Sequence, residues 1–344
     1  MSLPTQTEAG IDDPFRFVRR DMNRREFIAK FITASGVLLT GMDAVAEEVA
    51  AGGVVIERPQ PGTPHSGKVL AAIQPHSDDI PLYAGGTVAK LIREGYTGYL
   101  IRVTNDDMGD QLGLGERGSI GQNVLRNERD NEEVARALGL KRVFDLNYSN
   151  HRMSGISQPE LQERFIFLFR LLKVDTVVCY DPWSHYEENP DHYVTAHCVE
   201  AACWMAGREH DYPEHFAAGM EPHSVREKYY HGRDLTTLSI NRVVDITHTF
   251  ESKIEANRAN KGKGPAGHHG SQLRAELAAR KLRLPFLGDD DLTADREYIR
   301  EFVLKRDREV GRKYGLDYAE EFHHIEESPS PLDEYLKQHA VPLI

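Results

Sequence analysis

The sequence predicts an α/β fold: a mainly parallel sheet flanked by helices, followed by a mostly helical C-terminal part. Three observations carry this. Residues 69–73 and 176–180 are short, continuous apolar runs, the pattern of strands buried on both faces of a parallel sheet. Segments of helical periodicity stand between these runs and the other strand candidates, and such alternation is the mark of α/β architecture. From 248 to about 315 the pattern is mostly helical.

In chain order, residues 1–46 come first. Arg24-Arg25 leads into a modest apolar run that closes on Ala44-Val45-Ala46, a small-x-small cleavage pattern. This reads as a twin-arginine export signal, with the export machinery as partner and a periplasmic or extracellular destination. An amphipathic N-terminal helix in a cytoplasmic protein is the alternative. The run is too short and too interrupted for a membrane span, which needs about 20 apolar residues.

Residues 47–67 are rich in Gly and Pro and read as a linker. A domain is expected over 68–325. Its first strand, 69–73, precedes a helix over 81–94 that stops at Gly95, since glycine suits the left-handed terminal position. A second strand covers 99–104. A Gly-rich loop, 105–121, then leads to a charged helix ending at Leu138-Gly139. Strands are expected at 143–146, 176–180, 228–231 and 243–246, and helices at 158–172 and 192–206. Residues 326–344 read as a tail.

Composition narrows the function. Lys+Arg 42 against Asp+Glu 54 gives a formal charge of −12, so there is no basic footprint for sequence-independent nucleic-acid binding. A small or neutral substrate fits better. The three cysteines, Cys179, Cys198 and Cys203, form no C-x-x-C pair and read as buried small hydrophobes. Gly113 to Gly118 satisfies G-x-G-x-x-G, yet it begins well after the strand ending near 104. Dinucleotide binding needs the immediate strand-to-helix turn, so a loop bordering the site is expected. Asp106, Asp107 and Asp110 in the same loop are candidates for a second cation, with solvated side chains the simpler expectation.

Chemistry concentrates at two places. The first strand runs into Gln74-Pro75-His76-Ser77-Asp78-Asp79, at the carboxyl end where an open α/β sheet builds its sites. His76 and Asp79, three apart on a turn, can converge on one ion, since imidazole nitrogen and carboxylate oxygen both suit Zn²⁺. Asp78 is then left beside the ion to take a proton from water. After 176–180 comes a second polar run, from Asp181 through Trp183, His185, Tyr186 and Asn189 to Asp191-His192. His192 is the candidate third ligand, and Asp191 a candidate to orient a neighbouring imidazole. Helix capping by the aspartates at 78–79, and by Asn189 or Asp191, explains each motif taken singly.

Together these residues resemble the PIG-L/LmbE-like zinc-dependent deacetylases of N-acetylated sugars. His76-Ser77-Asp78-Asp79 and Ala84-Gly85-Gly86-Thr87 stand where that family has His-Pro-Asp-Asp and its following glycines, and Asn189-Pro190-Asp191-His192 where it has His-Pro-Asp-His. The resemblance continues through Val244-Asp245-Ile246, Lys253, His269-Gly270-Ser271-Gln272 and Tyr318-Ala319-Glu320-Glu321-Phe322, covering about residues 68–322. It implies a Rossmann-like fold without a dinucleotide. It also implies one zinc per chain on His76, Asp79 and His192, Asp78 as general base, and hydrolysis of an acetamide on a sugar or glycoconjugate.

Ser77 and Ile80 depart from the family pattern without touching a proposed ligand. Asn189 is the larger departure. It replaces a histidine that stabilises the oxyanion or supplies a proton, and asparagine donates hydrogen bonds but is no acid. His185, Tyr186 and His269 are the candidates to fill that role. Trp183, Tyr186 and Tyr83 are candidates to stack on a sugar face, or equally to pack in a core. A catalytically weak sugar-binding or scaffold protein on the same fold is the alternative function.

Overall fold

Strands β1 (Glu48–Val49), β2 (Val55–Glu57), β3 (Val69–Gln74), β4 (Thr97–Thr104), β5 (Arg142–Tyr148), β6 (Thr176–Tyr180), β7 (Glu227–His231), β8 (Arg242–Asp245) and β9 (Ala319–Glu326) form one sheet in the order β1-β2-β8-β9-β7-β6-β3-β4-β5. This is a computed structural model, and it describes residues 48–49, 53–108, 119–184, 186–233, 239–328 and 330–342. The export signal read over 1–46, the glycine run 113–118, Asp110 and His185 lie outside the described residues.

The strands from β5 to β7 are all parallel, β2 pairs parallel with β8, and β9 runs antiparallel to both β7 and β8. β3 lies between β4 and β6, so the chain order reverses there: β4 and β5 extend to one side, β6 and β7 to the other. A parallel sheet opens a crevice at such a switch point, outside the carboxyl ends of its strands.

The helices are α1 (Asp79–Tyr83), α2 (Gly85–Arg93), α3 (Ile120–Leu138), α4 (Gln158–Leu172), α5 (Pro190–Ala206), α6 (Glu214–Ala217), α7 (Phe250–Ala259), α8 (His269–Ala279), α9 (Asp291–Tyr298), α10 (Lys305–Lys313) and α11 (Pro331–His339), with a π-helical turn, Ile299–Val303, between α9 and α10. Alternate residues of each strand face opposite layers. Leu70, Ala72 and Leu100 pack with Ile80, Val88, Leu138, Phe250 and Ile254 from α1, α2, α3 and α7. Ala71, Ile73 and Ile101 pack with Phe165, Phe169, Val194 and Val199 from α4 and α5. Two covered faces require continuous apolar strands, and each buried Leu, Ile, Val or Phe among them contributes roughly 1.5–3 kcal/mol. All three cysteines are buried and free.

The structure differs from the sequence reading in four places. The helix expected over 81–94 breaks at Ala84 into α1 and α2. Gly86 lies against β8's end, where a Cβ would sit 2.7 Å from Ile246, and this close approach explains the paired glycines. Within the 47–67 segment read as linker, β2 pairs with β8. β9 passed unread because Glu320, Glu321, His323 and His324 mask its alternation. The 326–344 tail contains α11, none of whose residues is buried.

Candidate metal centre

The turn after β3 is set by Gln74, whose Oε1 accepts the Ile80 amide (3.1 Å) while its Nε2 donates to Asn131 (2.9 Å). Asp79 folds back to accept the His76 amide at 2.8 Å. Asp78 stands at the N-cap position of α1 but makes no capping hydrogen bond. The second half of the centre comes from α5, where Asn189 does cap, its Oδ1 accepting the Asp191 amide at 3.0 Å. The capping explanation therefore accounts for Asn189 and leaves Asp78 unexplained.

His76, Asp79 and His192 converge. All are buried, and one ligand atom from each lies within 4.8 Å of the others. His76 Nδ1 is 3.0 Å from His192 Nε2 and 3.4 Å from Asp79 Oδ2, and His192 Nε2 is 3.6 Å from Asp79 Oδ1. The outward ring nitrogens each meet a carboxylate: His76 Nε2 lies 3.1 Å from Asp191 Oδ2, and His192 Nδ1 lies 3.2 Å from Glu187 Oε1. Amides of His151 (2.6 Å) and Met153 (3.3 Å) hold Asp191 in turn. Tyr180 donates to Asp79 Oδ1 at 2.8 Å, and its ring stacks on His192 with centroids 4.2 Å apart.

This arrangement fits a cation. A carboxylate behind each ring draws the N–H outward and aims the lone pair of the other nitrogen at the centre. Two lone pairs 3.0 Å apart repel unless positive charge stands between them. The electrostatics agree. Burial opposes charge on His76, but the Asp191 and Asp79 carboxylates outweigh it and raise the imidazole to about 10. Burial likewise opposes charge on Asp79, and the His192 and His76 imidazoles hold it well below the usual carboxylate range. Burial, then the adjacent Asp79 charge, push Asp78 up to about 6. Two nitrogens and one oxygen match the three-ligand, open-position pattern of hydrolytic metal sites.

Of the other candidates Asn189 stays at the centre, and the rest fall apart from it or behind it. Asn189 Nδ2 is 3.5 Å from His192 Nε2. His269 stacks on Tyr298 (6.1 Å) and bonds the Ala266 carbonyl. Tyr186 is 86% exposed with φ +63°, while Trp183 packs edge-on against Tyr230 at 5.9 Å. Tyr83 stacks on His231 (5.7 Å) and stands 6.0 Å from Tyr180. The expectation of solvated aspartates after β4 is overturned at Asp106, which is fully buried, with Oδ2 accepting the Ser77 amide (3.0 Å) and hydroxyl (2.6 Å) and Oδ1 3.4 Å from Lys263 Nζ. Asp107 accepts from Ser149 (2.6 Å) and the Asn150 amide (2.9 Å). Sequence reasoning assigned nothing to Glu187, Tyr180 or Lys263. Only the crowding of polar residues after β6 pointed toward the first of these.

Comparison with known proteins places this geometry. Residues 71–203 match the family model for PIG-L, GlcNAc-PI de-N-acetylase. Diacetylchitobiose deacetylase of Thermococcus kodakarensis is 27% identical over 200 residues, 58% of this chain and 71% of that protein. Among solved structures, N,N'-diacetylchitobiose deacetylase from Pyrococcus horikoshii with its inhibitor MPG superposes with a TM-score of 0.58 at 24% identity, covering 80% of this chain and 87% of that one. The 4-carboxy-2-hydroxymuconate hydratase of Pseudomonas putida KT2440 reaches 0.56 at 16% identity, covering 76% and 98%. These superpositions establish the fold, and the hydratase shows that the fold alone does not choose a reaction. The matched stretch contains His76, Asp78, Asp79, Asp191 and His192, so the converging centre lies inside the part of the chain, residues 71–203, that is similar to the PIG-L family.

Proposed function

We propose that the protein is a zinc-dependent hydrolase that removes the acetyl group from an N-acetylated sugar or glycoconjugate. The carrying observation is the convergence of His76, Asp79 and His192 beside an Asp78 that caps nothing. The kinship to diacetylchitobiose deacetylase favours an acetamido sugar over other amides. His76, Asp79 and His192 would hold the zinc ion, which when bound would supply Lewis acidity to polarise an amide carbonyl and acidify water.

The chain's own groups do the rest. Asp78, raised to about 6, is a carboxylate at neutral pH and still basic enough to take a proton from attacking water. The new C–O bond forms as that proton moves to Asp78. Asn189 cannot return a proton, so the one held by Asp78 passes to the nitrogen as the C–N bond breaks, releasing acetate and the amine. The Asn189 amide remains a hydrogen-bond donor toward the developing oxyanion. Asp191 and Glu187 orient His76 and His192 from behind.

The test is deacetylation of acetamido sugars at neutral pH. Turnover that disappears on chelation and in Asp78→Ala supports the enzyme. Zinc and sugar binding without turnover favours the sugar-binding reading, for which the capping role of Asn189 is the specific support. Export by a twin-arginine signal over residues 1–46 is a separate proposal. Uncleaved protein found only in the cytosol would overturn it.

A further inference from the structure

The basic, glycine-rich run 260–267 reads from sequence as a surface loop, yet its middle is half-buried against the His76–Asp79 turn. Asp130 of α3 accepts the amides of Lys261 (2.7 Å) and Gly262 (2.6 Å), and Asn257 of α7 accepts the Gly267 amide at 3.1 Å. Gly262 lies so close to α3 that a Cβ would sit 2.5 Å from Asn127 Oδ1. Both ends of the loop are therefore fixed to helices of the main layer.

Between those anchors the loop makes two contacts with the turn. Gly264, at φ +80°, lies flat on Asp78: a Cβ there would sit 2.5 Å from Asp78 Oδ2, 2.9 Å from its Cβ and 3.0 Å from its Cγ. Lys263 reaches to the other side, its Nζ 3.4 Å from Asp106 Oδ1. The second oxygen of Asp106 holds the amide and hydroxyl of Ser77, the residue before Asp78. Two adjacent loop residues thus grip two adjacent turn residues, one by backbone contact and one through a buried carboxylate. Glycine is required twice over, by the left-handed backbone and by the missing Cβ.

We propose that Lys263 and Gly264 are positioning residues for Asp78, fixing the direction of its carboxylate relative to the ligands His76, Asp79 and His192. The proposal rests on the deacetylase reading for the role of Asp78, but the grip itself is a matter of geometry. A base that must meet one water in one direction loses on the order of 10²-fold in rate when displaced by about 1 Å. The loop is the wall that prevents this displacement.

The experiment uses the full chain with zinc restored, in Lys263→Met, Lys263→Arg and Gly264→Ala. Lys263→Met and Gly264→Ala are expected to lower kcat by about 10–100-fold with KM within about twofold and zinc per chain unchanged, and Lys263→Arg to recover most of the rate. Crystal structures of the same variants supply a readout independent of turnover. The Asp78 carboxylate is expected to move while His76, Asp79 and His192 stay in place. Should Gly264→Ala fail to fold, Lys263→Met, which leaves the backbone untouched, decides alone. An unmoved Asp78 carboxylate, an unchanged kcat, or zinc lost together with rate overturns the proposal. If the unmodified protein turns over no acetamido sugar, the deacetylase reading fails, and the carboxylate positions still decide whether the loop holds Asp78.

Discussion

Asp78 and Asp79 are neighbours in sequence and opposites in electrostatics. Asp79 faces two imidazoles and stays ionised, whereas burial and its neighbour's charge lift Asp78 to about 6. Environments that push two carboxylates apart separate a ligand from a base. His76→Ala or His192→Ala is therefore expected to lose the metal with the fold retained, since both layers keep their own apolar side chains in either variant. Asp78→Ala should keep the metal and lose rate by about 10²–10⁴. Metal analysis beside kcat separates the two, and wild-type zinc content in His192→Ala would remove that ligand. The sign for pH follows from the same carboxylate. As the proposed base Asp78 works ionised, so kcat/KM should rise as pH climbs through its pKa, and a nearby cation can only lower that pKa, placing the acid limb at or below about pH 6. Glu187 acts one step back. Glu187→Gln, which turns an ionic partner of His192 into a neutral one, is expected to weaken zinc binding by about 10–100-fold, read by competition with a chelator.

Among the elements, β9 and α2 depend on each other through charge. Glu320 of β9 accepts the Gly86 and Thr87 amides at 2.9 and 2.8 Å, at the positive N-terminal end of α2, and its Oε1 also meets Lys253 Nζ at 2.7 Å. Lys253 is fully buried and pairs with Asp307 of α10 at 2.6 Å as well. Removing the ammonium strands two buried carboxylates, so Lys253→Met should destabilise the fold by about 3–5 kcal/mol. Urea unfolding with an unchanged slope measures it, and a shift under 1 kcal/mol would mean that the pair carries little. The same elements explain what could be read in advance. The strands β3 and β6 were legible because two covered faces leave no polar position, and the site halves because polar residues crowd the ends of those strands. β9 was not, because its acids and histidines are satisfied by Lys313 in the preceding helix and by Lys253, Asp181 and Glu227, which are far away in sequence. Nor was loop 260–267, where glycine signals a turn but not what presses against it. Asp106 looked solvated for the same reason: its partners at Ser77 and Lys263 come together only in the folded chain.

At the scale of the whole molecule, the centre and a second polar cluster occupy opposite ends of the sheet. The centre stands beyond the carboxyl ends of β3 and β6, at the switch point, while Glu227 sits at the amino end, as the first residue of β7. There it ties four parts of the fold: Tyr96 before β4 donates at 3.0 Å, Thr176 of β6 at 3.0 Å, Tyr229 of β7 at 3.1 Å, and His324 of β9 lies at 3.1 Å. Burial opposes its charge, but the hydrogen bonds from His324, Tyr96 and Thr176 outweigh it and lower the carboxyl to about 2 from its ordinary 4.5. A folded pKa below the unfolded one stabilises above the unfolded value and loses that stability as pH falls through the folded one. The contribution is on the order of 3 kcal/mol near neutrality, and it should vanish between about pH 4.5 and pH 2. Glu227→Gln is therefore expected to be less stable than the unmodified protein at pH 7 and to approach it at pH 2. Because the residue lies across the sheet from the centre, zinc content and kcat should not change. Urea midpoints measured across this pH range decide the matter: two curves that stay parallel down to pH 2 would mean that the seam is held by packing and not by this carboxylate.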